Sequence, residues 1–182
     1  MKAVFIFSVL VLFSFCANAQ KGDSITIGKK EIIHSKVLNE NRTIWIYTPE
    51  ITSQSVSPEK RYPVLYLLDG DAHFLSTVGI IQQLSQANGN GVLPEMMVVA
   101  IENTNRLRDL VPYTDFTKSN PFVDFLSAEL IPYVDKNYKT APYKLLVGHS
   151  LGGLTAIDIL TNKPTLFNAY IAIDPSMWYN NK

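Results

Sequence analysis

The chain has 182 residues and a mass of 20.4 kDa, which is enough for one domain with a buried core and short for two. Hydrophobic residues make up 47% and charged residues 18%, a balance that excludes a disordered, collagen-like or coiled-coil chain. Lys+Arg and Asp+Glu both number 16, so no excess of positive charge favours nucleic acid as a partner. The single cysteine excludes an intrachain disulfide and a thiolate metal cluster.

The first residues of the chain are typical of a secretory signal peptide. Lys2 supplies a positive start, residues 3–15 are almost wholly apolar, and Ala17–Ala19 forms a small-x-small cleavage site. The pattern predicts a signal peptide over residues 1–19 and a mature domain over residues 20–182. We therefore expect a secreted or periplasmic protein that has no membrane partner after cleavage.

Two other interpretations of this segment stay open. One is an uncleaved membrane anchor, although the apolar run is shorter than the ~20 residues that a spanning helix needs. The other is a lipid anchor on Cys16, which the bulky Phe15 disfavours because a small residue is wanted before a lipidated cysteine.

The early part of the mature chain carries the signals of strands. Residues 24–27, 31–38 and 42–48 are predicted strands, and in the last of them Ile44, Ile46 and Thr48 alternate with Trp45 and Tyr47. Residues 39–41 predict a hairpin turn between the last two strands. Residues 51–61, which are rich in serine, predict a polar surface loop.

After Tyr62 short apolar runs alternate with stretches of helical periodicity. The runs predict strands covered on both faces, and therefore parallel strands, at Val64–Leu68, Met96–Ile101, Leu145–Val147 and Ala169–Ile173. Helices are predicted over residues 74–86, 122–138 and 151–160. This alternation predicts an α/β fold whose sheet is mainly parallel, preceded by antiparallel N-terminal strands.

One motif carries the features of a catalytic nucleophile. An apolar strand is followed at once by Gly148-x-Ser150-x-Gly152 and then by a helical stretch, which is the context of a nucleophile elbow. Glycines on both sides permit a tight, strained turn from which the Ser150 hydroxyl projects. The helix then directs its N-terminal amides at the reaction site, where the Leu151 N–H is placed to stabilise an oxyanion.

A second oxyanion donor is expected in the loop after an earlier strand. The strand that ends at Leu68 is followed by Asp69, Gly70 and Asp71. Gly70 permits a turn that directs an amide, most simply that of Asp71, into the same pocket. The alternative is that Asp69 and Asp71 only form a turn and cap the following helix.

Four motifs in this order resemble the putative esterase family of the α/β-hydrolase fold, related to trilactone siderophore esterases and more distantly to S-formylglutathione hydrolase. The matching segments are Tyr66–Phe74, Val99–Arg106 with Arg108–Leu110, Val147–Gly153 and Ala172–Trp178. The resemblance extends from about Val64 to the end of the chain. It implies an α/β-hydrolase fold and hydrolysis of a carboxylic ester through an acyl-enzyme on Ser150.

The general base that a serine nucleophile needs is not evident. In this fold the acid and then the histidine follow the serine along the chain, yet no histidine follows Ser150. We expect the acid and the histidine beyond residue 182, and hence a sheet that is incomplete at the C-terminus and exposes an apolar edge.

The three histidines of the chain have different expected roles. His34 lies in an early strand pattern and is interpreted as a partly exposed strand residue. His149 adjoins the nucleophile and is expected to pack or to line the pocket, because its ring does not easily reach the neighbouring hydroxyl. His73, just after the oxyanion loop, is a candidate for the substrate pocket and for a substitute base.

Other candidates follow the predicted strands. Asp174 is a possible catalytic acid, with capping of a loop as the alternative. Arg106 is a candidate to hold a carboxylate of the substrate bidentately, and a salt-bridged loop of Arg108 with Asp109 is the equally supported alternative. Trp178 is either a wall of the substrate pocket or a core residue.

These observations lead to two hypotheses. The first is an exported serine carboxylic ester hydrolase that acts on a small-molecule ester and needs the missing C-terminal part for full activity. The second is a non-catalytic ligand-binding protein that retains the hydrolase scaffold. No metal-ligand spacing and no cofactor motif is present in the sequence, so no cofactor is expected. The sequence indicates neither which ester is the substrate nor the oligomeric state.

Overall fold

A computed structural model of the chain describes residues 24–49, 59–86, 91–112 and 120–179. The predicted signal peptide and most of the predicted loop at 51–61 lie outside these residues. Within the described ranges, no helix is both long enough and apolar enough to cross a membrane.

The described strands form one mixed sheet. Its six strands are β1 (Lys29–Ser35), β2 (Glu40–Tyr47), β3 (Tyr62–Leu67), β4 (Met97–Ile101), β5 (Thr140–His149) and β6 (Ala169–Ile173). They lie in the order β1-β2-β4-β3-β5-β6. The first two strands form a hairpin that joins β4 in antiparallel orientation, whereas β4, β3, β5 and β6 run parallel. The predicted α/β architecture with antiparallel N-terminal strands is confirmed.

Helices connect the parallel strands. They are α1 (Gly70–Gln86), α2 (Arg106–Leu110), α3 (Pro121–Phe125), α4 (Ile131–Asn137) and α5 (Leu151–Asn162), and a π-helical stretch, Leu126–Leu130, joins α3 to α4. The predicted helix over residues 74–86 therefore begins earlier, at Gly70. The short α2 was not predicted, because five residues are too few to show helical periodicity.

Two predictions about the N-terminal strands are wrong. Residues 24–27 form no strand, because the ladder with β2 ends at the pair Lys29–Ile46 and the Ile25 side chain is 93% exposed. The hairpin turn covers residues 36–39 rather than 39–41, and Asn39 takes the positive φ of 51° that closes it.

The sheet is covered on both faces. Along β3, Val64 and Tyr66 belong to the core beneath α3, α4 and α5, while Leu65 and Leu67 belong to the core beneath α1. A central strand that is buried on both sides needs apolar side chains at every position, which explains the continuous apolar runs in the sequence. At the β6 end, Ile171 and Ile173 are about half exposed, so the prediction that this strand is covered on both faces does not hold among the described residues.

A buried ionic cluster joins β2 to α2. Arg42 is fully buried, and its Nη1 donates to Asp109 Oδ2 at 2.6 Å and to Glu40 Oε1 at 2.9 Å. Arg108 donates to both oxygens of Glu40 and, through Nε, to Asp109 Oδ1 at 2.7 Å, which is the salt-bridged loop considered above. Chiefly because of the Arg108 hydrogen bonds, the pKa of Glu40 falls to about 2.

Candidate active site

Ser150 occupies a strained turn between β5 and α5. Its φ of 56° and ψ of −115° lie outside the regions that a non-glycine residue ordinarily adopts. The turn is so tight that a Cβ on Gly148 would lie 2.2 Å from the carbonyl oxygen of Gly152. The predicted strand, sharp turn and helix are therefore present, and the Ser150 side chain is partly exposed.

The end of β6 and the segment that follows it hold Ser150 in place through hydrogen bonds. The Ser150 N–H donates to the Ile173 carbonyl at 3.0 Å, and the Ser150 carbonyl accepts from the Ser176 N–H at 3.0 Å. The two hydroxyl oxygens, Ser150 Oγ and Ser176 Oγ, are 2.9 Å apart. Ser176 is only 2% exposed and was not singled out as a site residue, although it lies in the last of the four matching motifs.

The N-termini of α5 and α1 lie at the same edge of the sheet. They follow β5 and β3, which are neighbouring parallel strands paired at Leu67 and Val147. Leu151 is the first residue of α5 and Asp71 the second of α1, so neither N–H has an acceptor within its own helix. Both predicted oxyanion donors thus belong to helix N-termini, where partial positive charge favours an anion.

The reason for the glycine at position 70 differs from the prediction. The positive φ of the loop belongs to Asp69, at 53°, and Gly70 is already the first residue of α1. A side chain at Gly70 would collide with β4, because its Cβ would lie 2.5 Å from the Ile101 nitrogen. Gly70 therefore allows the helix to begin against the sheet instead of supplying the turn.

A charged cluster fixes the loop that contains the predicted oxyanion donor. Asp69 is buried, and its carboxylate accepts from Arg106 Nε at 2.6 Å, from Arg106 Nη2 at 2.9 Å and from Asn103 Nδ2 at 2.6 Å. The hydrogen bonds to Asp69 raise the pKa of Arg106. The carbonyl of Asp69 also accepts from the N–H groups of Ala72 and His73 in the first turn of α1.

This cluster corrects the interpretation of Arg106. The Nε–Nη2 edge of its guanidinium, which is one of the edges that can bind a carboxylate bidentately, is occupied by Asp69. Arg106 thus acts on the loop, and through that edge it has no free bidentate site for a ligand. The turn of the alternative interpretation is present, since the Asp69 carbonyl accepts from Ala72 and His73, while the Asp69 carboxylate binds Arg106 and Asn103.

Two of the three histidines lie together beside the elbow. The His73 and His149 rings meet edge to face with their centroids 5.6 Å apart, and His149 is exposed. His34 lies on β1, at the opposite end of the sheet from β6, and hydrogen-bonds Asn41. Within the described part of the chain, the Ser150 hydroxyl hydrogen-bonds Ser176 and no imidazole.

The remaining candidates lie in the segment after β6. Asp174 is exposed, has a φ of 41°, and makes no hydrogen bond to either His73 or His149 among the described residues. Trp178 is 76% exposed, so the core-packing alternative for this residue is wrong. Its ring lies 6.2 Å from that of Tyr179, on the same segment that holds Ser150.

The sequence matches the model of the family described as "Putative esterase" over residues 35–182. The match covers the hairpin, the parallel strands, the elbow and the segment after β6. The chain belongs to the putative esterase family.

Proteins similar to the chain include some that are named as siderophore esterases. The chain is 27% identical to ferri-bacillibactin esterase BesA of Bacillus subtilis over 90% of its length and 64% of that protein. It is 30% identical to the siderophore triacetylfusarinine C esterase of Aspergillus fumigatus, over 65% of its length and 46% of that protein. The chain thus spans about half to two thirds of these putative esterase relatives.

Solved structures in the comparison share the fold. An IroE-like serine hydrolase from Shewanella oneidensis is 35% identical with a TM-score of 0.75, over 85% of this chain and 52% of that one. The BES protein from Bacillus cereus is 27% identical, also with a TM-score of 0.75, over 89% of this chain and 66% of that one. The α/β-hydrolase fold of a putative esterase is therefore confirmed for the described residues.

Proposed function

We propose that this chain is part of an exported serine ester hydrolase that forms an acyl-enzyme on Ser150. The observation that carries the proposal is the elbow: Ser150 has a positive φ at a strand-to-helix turn. The N-termini of α5 and α1 lie at the same edge of the sheet. Family membership supports ester hydrolysis as the reaction class.

The reaction proceeds in two halves. A general base takes the Ser150 proton, Oγ forms a bond to the ester carbonyl carbon, and the carbonyl π electrons move onto the oxygen. The N–H groups of Leu151 and Asp71 stabilise that oxyanion, which then re-forms the carbonyl and expels the alcohol, protonated by the base. Water, activated by the same base, releases the acid and restores Ser150.

The general base is a histidine that lies outside this sequence. Two observations support this part of the proposal. Among the described residues, Ser150 Oγ hydrogen-bonds no imidazole, and the chain spans 46% to 64% of its esterase relatives named above. His73 is the one alternative within the chain that lies near the elbow, through its ring contact with His149.

The substrate we propose is a small-molecule carboxylic ester. Two of the relatives are named as a ferri-bacillibactin esterase and a siderophore triacetylfusarinine C esterase, and these names support an ester of this class as the substrate. The signal-like residues 1–19 support action outside the cytoplasm.

A fluorophosphonate probe tests the nucleophile directly, because it reacts only with an activated serine. The reading frame beyond codon 182 is sequenced and the full-length protein is expressed. We expect stoichiometric labelling of the wild type, none of Ser150→Ala, and normal labelling of Ser85→Ala, a serine whose hydroxyl bonds the Ile81 carbonyl in α1. Equal labelling of the wild type and Ser150→Ala contradicts the proposal. An absence of labelling in both folded proteins also contradicts it and favours a non-catalytic binding protein.

The origin of the base is tested separately on the 182-residue chain. Without the histidine, this chain should hydrolyse p-nitrophenyl acetate at close to the background rate. Robust turnover that His73→Ala abolishes, while His34→Ala leaves it intact, would show that His73 is the base. A stop codon directly after codon 182 in the gene would also contradict a later histidine.

A further inference from the structure

We propose that Ser176 is a positioning residue for Ser150, whose hydroxyl donates a hydrogen bond to Ser150 Oγ and keeps that oxygen aimed at the ester. The inference rests on the proposed function, because it assigns a role in the same reaction. Its basis is a contact between two distant segments: the two hydroxyl oxygens lie 2.9 Å apart, and Ser176 is 2% exposed.

The position of Ser176 is set by its backbone. Its N–H donates to the Ser150 carbonyl at 3.0 Å, and its carbonyl accepts from the Tyr179 N–H at 3.0 Å. The preceding Pro175 packs directly on the first turn of α5, where a Cβ on Gly153 would lie 3.0 Å from Pro175 Cα. Ser176 therefore has little freedom to move away from the nucleophile, and its hydroxyl is a fixed partner.

The chemistry of the reaction selects the direction of this hydrogen bond. A hydroxyl has one proton to donate and two lone pairs that accept. Ser150 must direct its own proton at the general base, so its oxygen is available to Ser176 only as an acceptor. Ser176 is then the donor, and the bond persists when Ser150 loses its proton.

Donation from Ser176 also favours the reaction energetically. As the proton of Ser150 leaves, negative charge develops on Oγ, and a hydrogen bond to a charged oxygen is about twice as strong as one to a neutral oxygen. The bond therefore stabilises the transition state more than the ground state, which raises kcat and leaves substrate binding unchanged. It also holds Oγ in one rotamer, so that the oxygen is oriented for attack.

The test compares Ser176→Ala with wild type in the full-length protein. The alanine variant keeps the backbone N–H that binds Ser150 and loses only the hydroxyl. With p-nitrophenyl acetate we expect kcat to fall about tenfold to a hundredfold at nearly constant KM, and the fluorophosphonate labelling rate to fall by a similar factor. Ser176→Cys, which keeps a weaker donor, should retain more of kcat than Ser176→Ala.

Matched controls separate positioning from general damage. Ser127→Ala removes a remote hydroxyl that bonds the Asp124 carbonyl, and should leave kcat and the labelling rate unchanged. Wild-type labelling and kcat in Ser176→Ala contradict the inference while the proposed function stands. An unlabelled wild type contradicts the proposed function itself. Circular dichroism shows whether Ser176→Ala is folded. If it is not, the Ser176→Cys variant takes its place in the test. A folded Ser176→Cys with the kcat of the wild type would also contradict the inference.

Discussion

Asp69 and Ser150 follow neighbouring parallel strands, and both have a positive φ, of 53° and 56°. Both are non-glycine residues, so each conformation costs of the order of 1 kcal/mol and persists only because surrounding contacts impose it. Arg106 and Asn103 hold Asp69, while the Ile173 carbonyl and the Ser176 N–H hold Ser150. The two turns direct the N-termini of α1 and α5 toward the same edge of the sheet.

The tight elbow should not tolerate a side chain at position 148. In Gly148→Ala the new Cβ would collide with the Gly152 carbonyl, so we expect the free energy of unfolding to fall by at least about 3 kcal/mol. Gly79→Ala is the matched control, since a Cβ there meets nothing within 4 Å and alanine favours α1 by about 0.5–1 kcal/mol. Urea unfolding of both variants checks this, and equal stabilities would contradict the geometry of the turn.

The loop that carries Asp71, the proposed oxyanion donor, should depend on the bidentate bond of Arg106 to Asp69. Lysine keeps the charge but cannot bind both oxygens of Asp69, so Arg106→Lys should lower kcat/KM roughly tenfold by loosening the loop. Arg61→Lys is the control, because Arg61 is exposed and makes one long hydrogen bond of 3.5 Å to a backbone carbonyl. Steady-state kinetics of the full-length protein with p-nitrophenyl acetate measures both. A tenfold loss of kcat/KM in Arg61→Lys as well would show that the effect is not specific to the Arg106–Asp69 contact.

Loss of the buried partner of Arg42 should be costly. In Asp109→Asn the fully buried Arg42 guanidinium loses its nearest carboxylate, at 2.6 Å, and keeps the Glu40 carboxylate and the Glu102 carbonyl. We expect the free energy of unfolding to fall by about 3 kcal/mol, since an uncompensated buried charge is expensive. Asp135→Asn, at an exposed carboxylate bound to Lys144, should cost less than about 1 kcal/mol. Chemical denaturation measures the free energy of unfolding of both variants. Similar losses in Asp109→Asn and Asp135→Asn would show that burial does not make the Arg42–Asp109 pair more important.

Acid should weaken the cluster through Glu40. Its pKa in the folded chain is about 2, below the ordinary 4.5, so its stabilising contribution is complete above about pH 4.5 and is lost as the pH falls toward 2. Glu40→Gln should be less stable than wild type near neutral pH, with a gap that narrows in acid. Urea midpoints from about pH 6 to about pH 3 test this, with Glu59→Gln, an exposed carboxylate, as the control. A stability difference between wild type and Glu40→Gln that does not change with pH would contradict the ionic origin of the Glu40 contribution.

Patterns that repeat along the chain predicted most of the fold. The continuous apolar runs identify all four parallel strands, and in β3 and β4 their cause is burial on both faces. The glycines around Ser150 identify the elbow, since a tight turn is a property of consecutive residues. Strands and tight turns that depend on adjacent residues can thus be predicted without knowledge of the rest of the chain.

Contacts between distant residues escaped prediction. The Ser150–Ser176 pair spans 26 positions and the Arg42–Asp109 pair 67, and neither leaves a periodic signal in the sequence. Arg106 was assigned to the substrate because nothing in the sequence shows that Asp69 is its partner. The register of two strands and a turn decides such pairings, and only the assembled sheet contains that information.

The backbone bonds between Ser150 and the segment after β6 have a consequence for protein synthesis. Because the ribosome makes the chain from its N-terminus, the serine emerges well before the residues that fasten it. The hydrogen bonds between Ser150 and Ser176 therefore cannot form until Ser176 has left the exit tunnel. In a shorter nascent chain the Ser150 hydroxyl lacks this partner. The position of the Ser150 oxygen is therefore fixed only after the segment that follows β6 has been translated.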